Sequence, residues 1–146
     1  MIEVKDIVKS FDGSTVLHDV SATFHTGKTN LIIGQSGSGK TVLMKSLVGL
    51  LQPDSGSILF DGRDIVTMPG NDVKELRKEI GMLFQGSALF DSETVLGNVM
   101  FPLVMFTDKS REEMLERARF CIRRVNLAGT EDKYPSEISG GMQKRV

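Results

Sequence analysis

The sequence is poor in cysteine and aromatic residues, and it contains no long apolar run. Cys121 is the single cysteine among 146 residues, which excludes a framework of internal disulfides. The longest apolar stretch, residues 99–106, is interrupted by Pro102, whereas a helix that spans a bilayer needs about 20 apolar residues. The N-terminal residues 1–6 lack the basic-then-apolar pattern of a secretory signal. We therefore expect no direct insertion into a membrane.

An excess of charge of either sign is also missing. Lysine and arginine total 18, aspartate and glutamate total 19, and the formal net charge is −1. This balance argues against a basic protein that coats nucleic acid, so we expect no nucleic-acid partner. Hydrophobic residues make up 40% and charged residues 25% of the chain, which is typical of a globular protein. The length suits one domain or two small subdomains.

The first half of the chain predicts an α/β fold. Short apolar runs up to Phe24, with a turn at residues 11–14, predict a small antiparallel β part. The continuous apolar run 31–33 predicts a strand buried on both faces. A helix is expected from about 39 to 51, and the run 80–84 predicts a second buried strand.

Further turn and cap signals organise the rest of the chain. Asp61-Gly62 predicts a hairpin turn, and Asn71 is expected to cap a helix that runs through residue 78. Ser110 begins a capping box ahead of an amphipathic helix. We therefore predict a nucleotide-binding core with the antiparallel β part over residues 1–88 and a helical subdomain over residues 89–146.

A glycine-rich segment carries the chemistry of phosphate binding. Residues 34–41 fit the pattern G-x-x-x-x-G-K-[ST], in which glycines let main-chain N–H groups converge on phosphate oxygens at a helix start. Lys40 can reach the β- and γ-phosphates, and the Thr41 hydroxyl can ligate Mg²⁺. The alternative is a glycine-rich connection that binds nothing. The candidate binding residues are Gly34, Gln35, Ser36, Gly37, Ser38, Gly39, Lys40, Thr41 and Val42.

Two further strings bear on the nucleotide. Residues 27–29 also read Gly-Lys-Thr, but Ala22 occupies the position of the first glycine, so we interpret this string as a turn. The guanine-reading string N-K-x-D does not occur, which favours ATP over GTP.

A second glycine cluster lies near residue 146. Ser139 is followed by Gly140 and Gly141 and then by a run without helix breakers, so Ser139 is a candidate N-cap. The cluster would then present a second helix start to an anion. Because one triphosphate already has its loop, a second anion site suggests a site completed by another subunit.

These elements, in this order, resemble the ATP-binding subunit of ABC transporters. Residues 34–41 are similar to the Walker A loop of that family, Gln85 to its Q-loop, and residues 138–143 to its signature motif. Residues 34–36, 83–91 and 141–145 resemble more closely the ATPases of Mce-associated, Mla-type phospholipid transporters. Relatives that import amino acids or osmolytes share the last of these strings.

The resemblance implies roles for individual residues. It places Phe11 where an aromatic ring stacks on adenine, with Val16 touching the same ring. Lys40, Gln85 and Ser139 would act in catalysis, and Gln85 would also contact Mg²⁺ or the attacking water and sense the membrane subunits.

The resemblance also implies an assembly. Two copies of the chain would close head to tail around two ATP molecules, so that Lys40 and Thr41 of one copy face Ser139, Gly140 and Gly141 of the other. Integral membrane permease subunits would be the further partners. The protein would then be cytoplasmic, peripheral on the inner face of the cell membrane.

Several alternatives remain open at this point. The favoured function is an ATP-hydrolysing energy-coupling subunit for phospholipid transport; the others are an importer of another cargo and a non-hydrolysing nucleotide-binding module. The general base and the switch histidine of the family cannot be placed, since His18 and His25 precede the phosphate loop. We therefore expect the core to be incomplete and residues 1–146 alone not to turn ATP over.

Overall fold

The computed structural model describes residues 1–84, 86 and 88–146. The chain divides into two compact units, Met1–Gly81 and Met82–Val146. The predicted boundary between a nucleotide-binding core and a helical subdomain, at residues 88 and 89, stays a prediction.

The first unit contains a four-stranded antiparallel sheet. Its strands are β1 (Ile2–Phe11), β2 (Ser14–Phe24), β3 (Ser55–Phe60) and β4 (Arg63–Asp64). Their order across the sheet is β2-β1-β3-β4, and every neighbouring pair is antiparallel. The predicted N-terminal antiparallel part is therefore confirmed.

Two tight turns connect these strands. Asp12 and Gly13 join β1 to β2 with φ angles of 47° and 79°, and Asp61 and Gly62 join β3 to β4 with φ angles of 47° and 80°. Positive φ at both central residues matches the right-handed twist of the flanking strands. Both predicted turns are confirmed.

The pairing of β1 with β2 contains an irregularity at Val16. Lys9 lies opposite Leu17, and the next residue, Ser10, lies opposite Thr15. Val16 is therefore the extra residue of a β-bulge. Because a bulge interrupts the alternation of side chains along a strand, it can redirect a side chain out of its regular position.

Two helices accompany this sheet in the first unit. Helix α1 spans Lys40–Leu47 and α2 spans Gly70–Lys78. Helix α1 ends earlier than predicted because Gly49, with a φ of 68°, turns the chain into the left-handed conformation. The core is formed by apolar residues of the sheet, of α1, of α2 and of the segment after β4, which are Val4, Ile7, Leu17, Leu43, Leu47, Ile58, Ile65 and Leu76.

Three local predictions were wrong. Residues 31–33 and 80–84 are not strands, and Leu31 and Ile33 are 80% and 81% exposed. A strand buried on both faces needs neighbours to pair with, and the described residues supply none for either segment. Asn71 does not cap α2 but lies inside it, since the N-cap is Pro69.

The second unit is helical, as predicted. It contains α3 (Val95–Phe106), α4 (Arg111–Arg124), a short 3-10 helix (Pro135–Glu137) and α5 (Gly140–Gln143). Helices α3 and α4 pack on each other, and the core consists of Val95, Ile122, Leu127 and Ile138. Ser110 and Glu113 form the expected capping box at the start of α4.

Within the part of the chain that the structure describes, no helix combines the length and the apolar character needed to cross a membrane.

Candidate functional site

The segment before α1 is an exposed, curled loop. The Ser38 N–H donates to the Gln35 carbonyl at 3.2 Å, and Gly37 and Gly39 have φ angles of 79° and 86°. A β-carbon at Gly34 would lie 2.7 Å from Ser38 Oγ, so the loop closes on itself. A main chain curled in this way can direct N–H groups into one concave surface that accepts an anion.

The first main-chain N–H groups of α1 are available as hydrogen-bond donors. Its N-cap is Gly39, which has no side chain to accept from the first N–H groups, and the first turn contains no acidic residue. Leu43 N–H donates to the Gly39 carbonyl at 2.8 Å and closes the first helical turn. The N–H groups before it carry the positive end of the helix dipole. This helix start therefore suits a phosphate group.

The Lys40 side chain lies over the loop. Its ammonium donates to the Gly34 carbonyl at 2.8 Å and to the Gln35 carbonyl at 2.7 Å. These two acceptors belong to the first two residues of the loop, so the ammonium at the start of α1 is held against the beginning of the loop. Thr41, the second residue of α1, is exposed beside it. The Lys40 ammonium, the Thr41 hydroxyl and the uncapped start of α1 together fit a nucleoside triphosphate with Mg²⁺.

Gly39 fixes the loop against β2. A β-carbon built at Gly39 would lie 3.1 Å from Val16 Cγ1, from the Val16 carbonyl oxygen and from Leu17 Cδ2. Consecutive strand residues normally point to opposite faces of a sheet. The bulge at Val16 explains why both side chains reach the same glycine. The structure thus places Val16 against the last glycine of the loop, and its contact with the adenine ring stays a prediction.

Phe11 lies at the end of β1 and is 41% exposed. The Lys9 ammonium is 5.4 Å from the centre of the Phe11 ring and also forms an ion pair with Asp54 at 2.7 Å. Neither Lys9 nor Asp54 was predicted from the sequence as part of the site. The spacing of Lys9 and Phe11 could have indicated a shared face of the strand, whereas nothing local connects Asp54 to either residue.

The second glycine cluster forms an exposed helix start in the second unit. Ser139 caps α5, and its side chain accepts from the Met142 N–H at 3.3 Å, as predicted. A β-carbon at Gly140 or Gly141 would meet no atom within 4 Å. The neighbouring Ile138 is buried in the core of this unit and anchors the cluster.

Among the predicted site residues, Gln85 lies outside the described part of the chain, so its roles stay predictions. Among the described residues, no group of three or more His, Cys, Asp or Glu side chains could hold a metal ion. Mg²⁺ bound with a nucleotide usually keeps several waters and is held by phosphate oxygens and one or two protein groups, and the exposed Thr41 hydroxyl could be one of these groups.

Comparison with known proteins identifies the family. The family described as ABC transporter matches residues 17–146, and the chain belongs to this family. The fold agrees, because a dimeric ATP-binding cassette in a post-hydrolysis state bound to ADP and Pi superposes with a TM-score of 0.89 at 27% identity, over 99% of this chain and 66% of that one. The predicted α/β class with a P-loop is thereby confirmed.

Two curated relatives are similar in sequence. The "Probable ribonucleotide transport ATP-binding protein mkl" of Mycobacterium leprae is 44% identical over 145 residues, which cover 99% of this chain and 42% of that protein. The "L-cystine transport system ATP-binding protein TcyN" of Escherichia coli is 40% identical over 150 residues, which cover 99% of this chain and 60% of that protein. The chain thus spans between two fifths and three fifths of the length of these relatives.

Proposed function

We propose that the protein is the ATP-binding and ATP-hydrolysing subunit of an ABC transporter. The observation that carries this proposal is the Lys40 ammonium, held over the glycine loop by the carbonyl groups of Gly34 and Gln35 in front of an uncapped helix start. Membership of the ABC transporter family supports it. An incoming phosphate would replace those two carbonyl groups as the acceptor of the ammonium.

Residues of the first unit would hold the nucleotide. Main-chain N–H groups of residues 34–42 and the Lys40 ammonium would bind the phosphates, and the Thr41 hydroxyl would ligate Mg²⁺. Phe11 and Val16 would contact the adenine. When bound, Mg²⁺ neutralises charge between neighbouring phosphates.

A second copy would complete the site. Ser139, Gly140 and Gly141 of that copy would face the phosphate in a head-to-tail dimer, and Gln85 would contact Mg²⁺ or the attacking water. The exposure of Ser139, Gly140 and Gly141 at the start of α5 supports this arrangement, as does the dimeric state of the cassette that superposes on the chain.

The cargo we favour is phospholipid, carried by a Mla-type transporter with integral membrane permease partners. Residues 83–91 and 141–145 support this choice by their resemblance to such ATPases. Import of an amino acid is the second candidate, favoured by the 40% identity with TcyN. With the permease present, ATP hydrolysis should rise on adding phospholipid and not on adding amino acids. This result would support phospholipid transport and exclude amino-acid import.

A binding titration with a matched control tests the nucleotide site. Lys40→Ala removes a charge-assisted contact worth about 1.5–3 kcal/mol, so the Kd for Mg-ATP should rise by a factor of about 10–150. Lys28→Ala removes the lysine of the other Gly-Lys-Thr string, which forms a turn with Gly27 at a φ of 70°, and should leave the Kd unchanged. Equal effects of the two substitutions would refute the assignment of the loop.

Ser139→Ala tests the proposed contribution of the second copy. It should leave Mg-ATP binding by a monomer intact and weaken the ATP-dependent association of two copies. If monomer binding weakened as much as it does in Lys40→Ala, Ser139 would belong to the site of its own copy, and the head-to-tail arrangement would be wrong.

A further inference from the structure

Lys9 connects the aromatic ring of Phe11 to the segment before β3. Its ammonium lies 5.4 Å from the centre of the ring and 2.7 Å from Asp54 Oδ1. The other carboxylate oxygen of Asp54 accepts from the Ser10 N–H at 2.7 Å, and the Asp54 N–H donates to the Val8 carbonyl at 2.8 Å. Asp54 therefore contacts three consecutive residues of β1, directly before Phe11.

These contacts restrict the Lys9 side chain. Only 18% of it is exposed, although its ammonium carries a full charge. The hydrogen bonds from Lys9 and Ser10 hold the pKa of the Asp54 carboxyl below its usual range, so this carboxylate is ionised at neutral pH. The ammonium then occupies a fixed place over one face of the ring, in the geometry of a cation–π contact.

The position of the ring relative to the phosphate loop follows from the hairpin. Phe11 pairs with Ser14, which precedes Val16 by about 7 Å along β2, and Val16 contacts the Gly39 end of the loop. The ring thus lies on the hairpin that borders the loop, and with 41% of Phe11 exposed it can still be reached from outside.

We propose that Lys9, held in place by Asp54, is a positioning residue for base recognition: it fixes the Phe11 ring so that its uncovered face can stack on the adenine of ATP. This rests on the proposed function, since it requires that a nucleotide binds at residues 34–42. Lys9 then contributes to affinity through the base, whereas Lys40 contributes through the phosphates. A purely structural role would instead affect both parts of the ligand equally.

Calorimetric titration with two ligands separates these roles. Mg-ATP carries base and phosphates, and Mg-tripolyphosphate carries the phosphates alone. Lys9→Met should weaken Mg-ATP binding by a factor of about 3–10, because the ring loses its fixed orientation for stacking. Binding of Mg-tripolyphosphate should stay within about twofold of wild type, which also shows that the variant is folded.

Two further variants serve as controls. Lys9→Arg keeps both the cation over the ring and the partner of Asp54, so it should restore Mg-ATP binding. Lys5→Met makes the same substitution earlier on β1, where the lysine side chain is 55% exposed and pairs with Glu3 at 3.5 Å. It should change neither affinity.

A double-mutant cycle with Phe11→Ala completes the test. In that background Lys9→Met should cause no further loss of Mg-ATP affinity, because no ring remains to be positioned. Additive losses, or an equal loss of affinity for both ligands in Lys9→Met, would overturn the proposed role of Lys9. Neither result would affect the proposed nucleotide site. If wild-type protein bound neither ligand, the proposed function would fail and this role with it.

Discussion

Replacing Gly39 with alanine would place a methyl group where the phosphate loop meets β2. The φ of 86° at this residue belongs to the left-handed region, which costs an L-residue about 1–2 kcal/mol. The new β-carbon would also lie 3.1 Å from the Val16 carbonyl oxygen and from the side chains of Val16 and Leu17. Side chains can yield by a few tenths of an ångström, but the carbonyl moves only if β2 moves.

The expected loss is the sum of these two effects. Forced contacts of this kind typically cost about 1–3 kcal/mol, so Gly39→Ala should lower the free energy of unfolding by about 2–5 kcal/mol. Gly37→Ala is a matched control in the same loop, because its φ is 79° and an added β-carbon would meet nothing within 4 Å. It should lose only about 1–2 kcal/mol. Any gain from a less flexible unfolded chain applies to both variants and cancels in the difference.

Urea denaturation followed by circular dichroism measures both losses. We expect Gly39→Ala to be the less stable variant by about 1–3 kcal/mol and to lose Mg-ATP binding, because a shifted α1 start no longer faces the loop. Equal losses of stability in the two variants would refute the close contact between Gly39 and the bulge at Val16.

Three further predictions concern other parts of the chain. Gly56→Ala should prevent folding or cost more than about 3 kcal/mol in urea denaturation, because its β-carbon would lie 2.5 Å from the carbonyl oxygens of Lys5 and Asp6 at a φ of 89°; a stable variant would contradict the described approach of β3 to β1. Ser110→Ala should cost about 1 kcal/mol in the same assay, since Ser110 accepts from the Glu113 N–H at 3.3 Å, and a neutral effect would exclude the capping box. The pKa of the Asp54 carboxyl is lowered in the folded protein, so this group contributes stability that is fully present above the ordinary carboxyl pKa of 3.8. That stability is lost as the pH falls through the folded pKa. The stability difference between wild type and Asp54→Asn should therefore be full at neutral pH and vanish in acid, and a difference that persists there would exclude the ion pair.

Much of the local structure could be predicted because each signal lies within a few residues. The turns at residues 12–13 and 61–62 follow from residue types that tolerate positive φ. Ser110 and Ser139 cap helices through N–H groups three residues later. The glycine loop before α1 belongs to the same class, because residues 34–41 carry both the glycines and the lysine in one string, while phosphate binding by this loop stays a prediction.

What could not be predicted depends on distant partners. The apolar runs 31–33 and 80–84 have the composition of buried strands, but pairing is decided by neighbours and not by composition. Similarly, Lys9 meets Asp54 across 45 positions of sequence. The contact of Val16 with Gly39 depends on a bulge, and nothing in the strand pattern around Val16 indicates one.

The central claim is that the glycine loop before α1 binds the phosphates of ATP. Its most direct measurement is the change in amide chemical shifts, observed by NMR, when a non-hydrolysable ATP analogue with Mg²⁺ is added. The largest changes should fall on the N–H groups of residues 36–42 and should disappear in Lys40→Ala. Saturable binding that leaves these amides unchanged and shifts others instead would contradict the account.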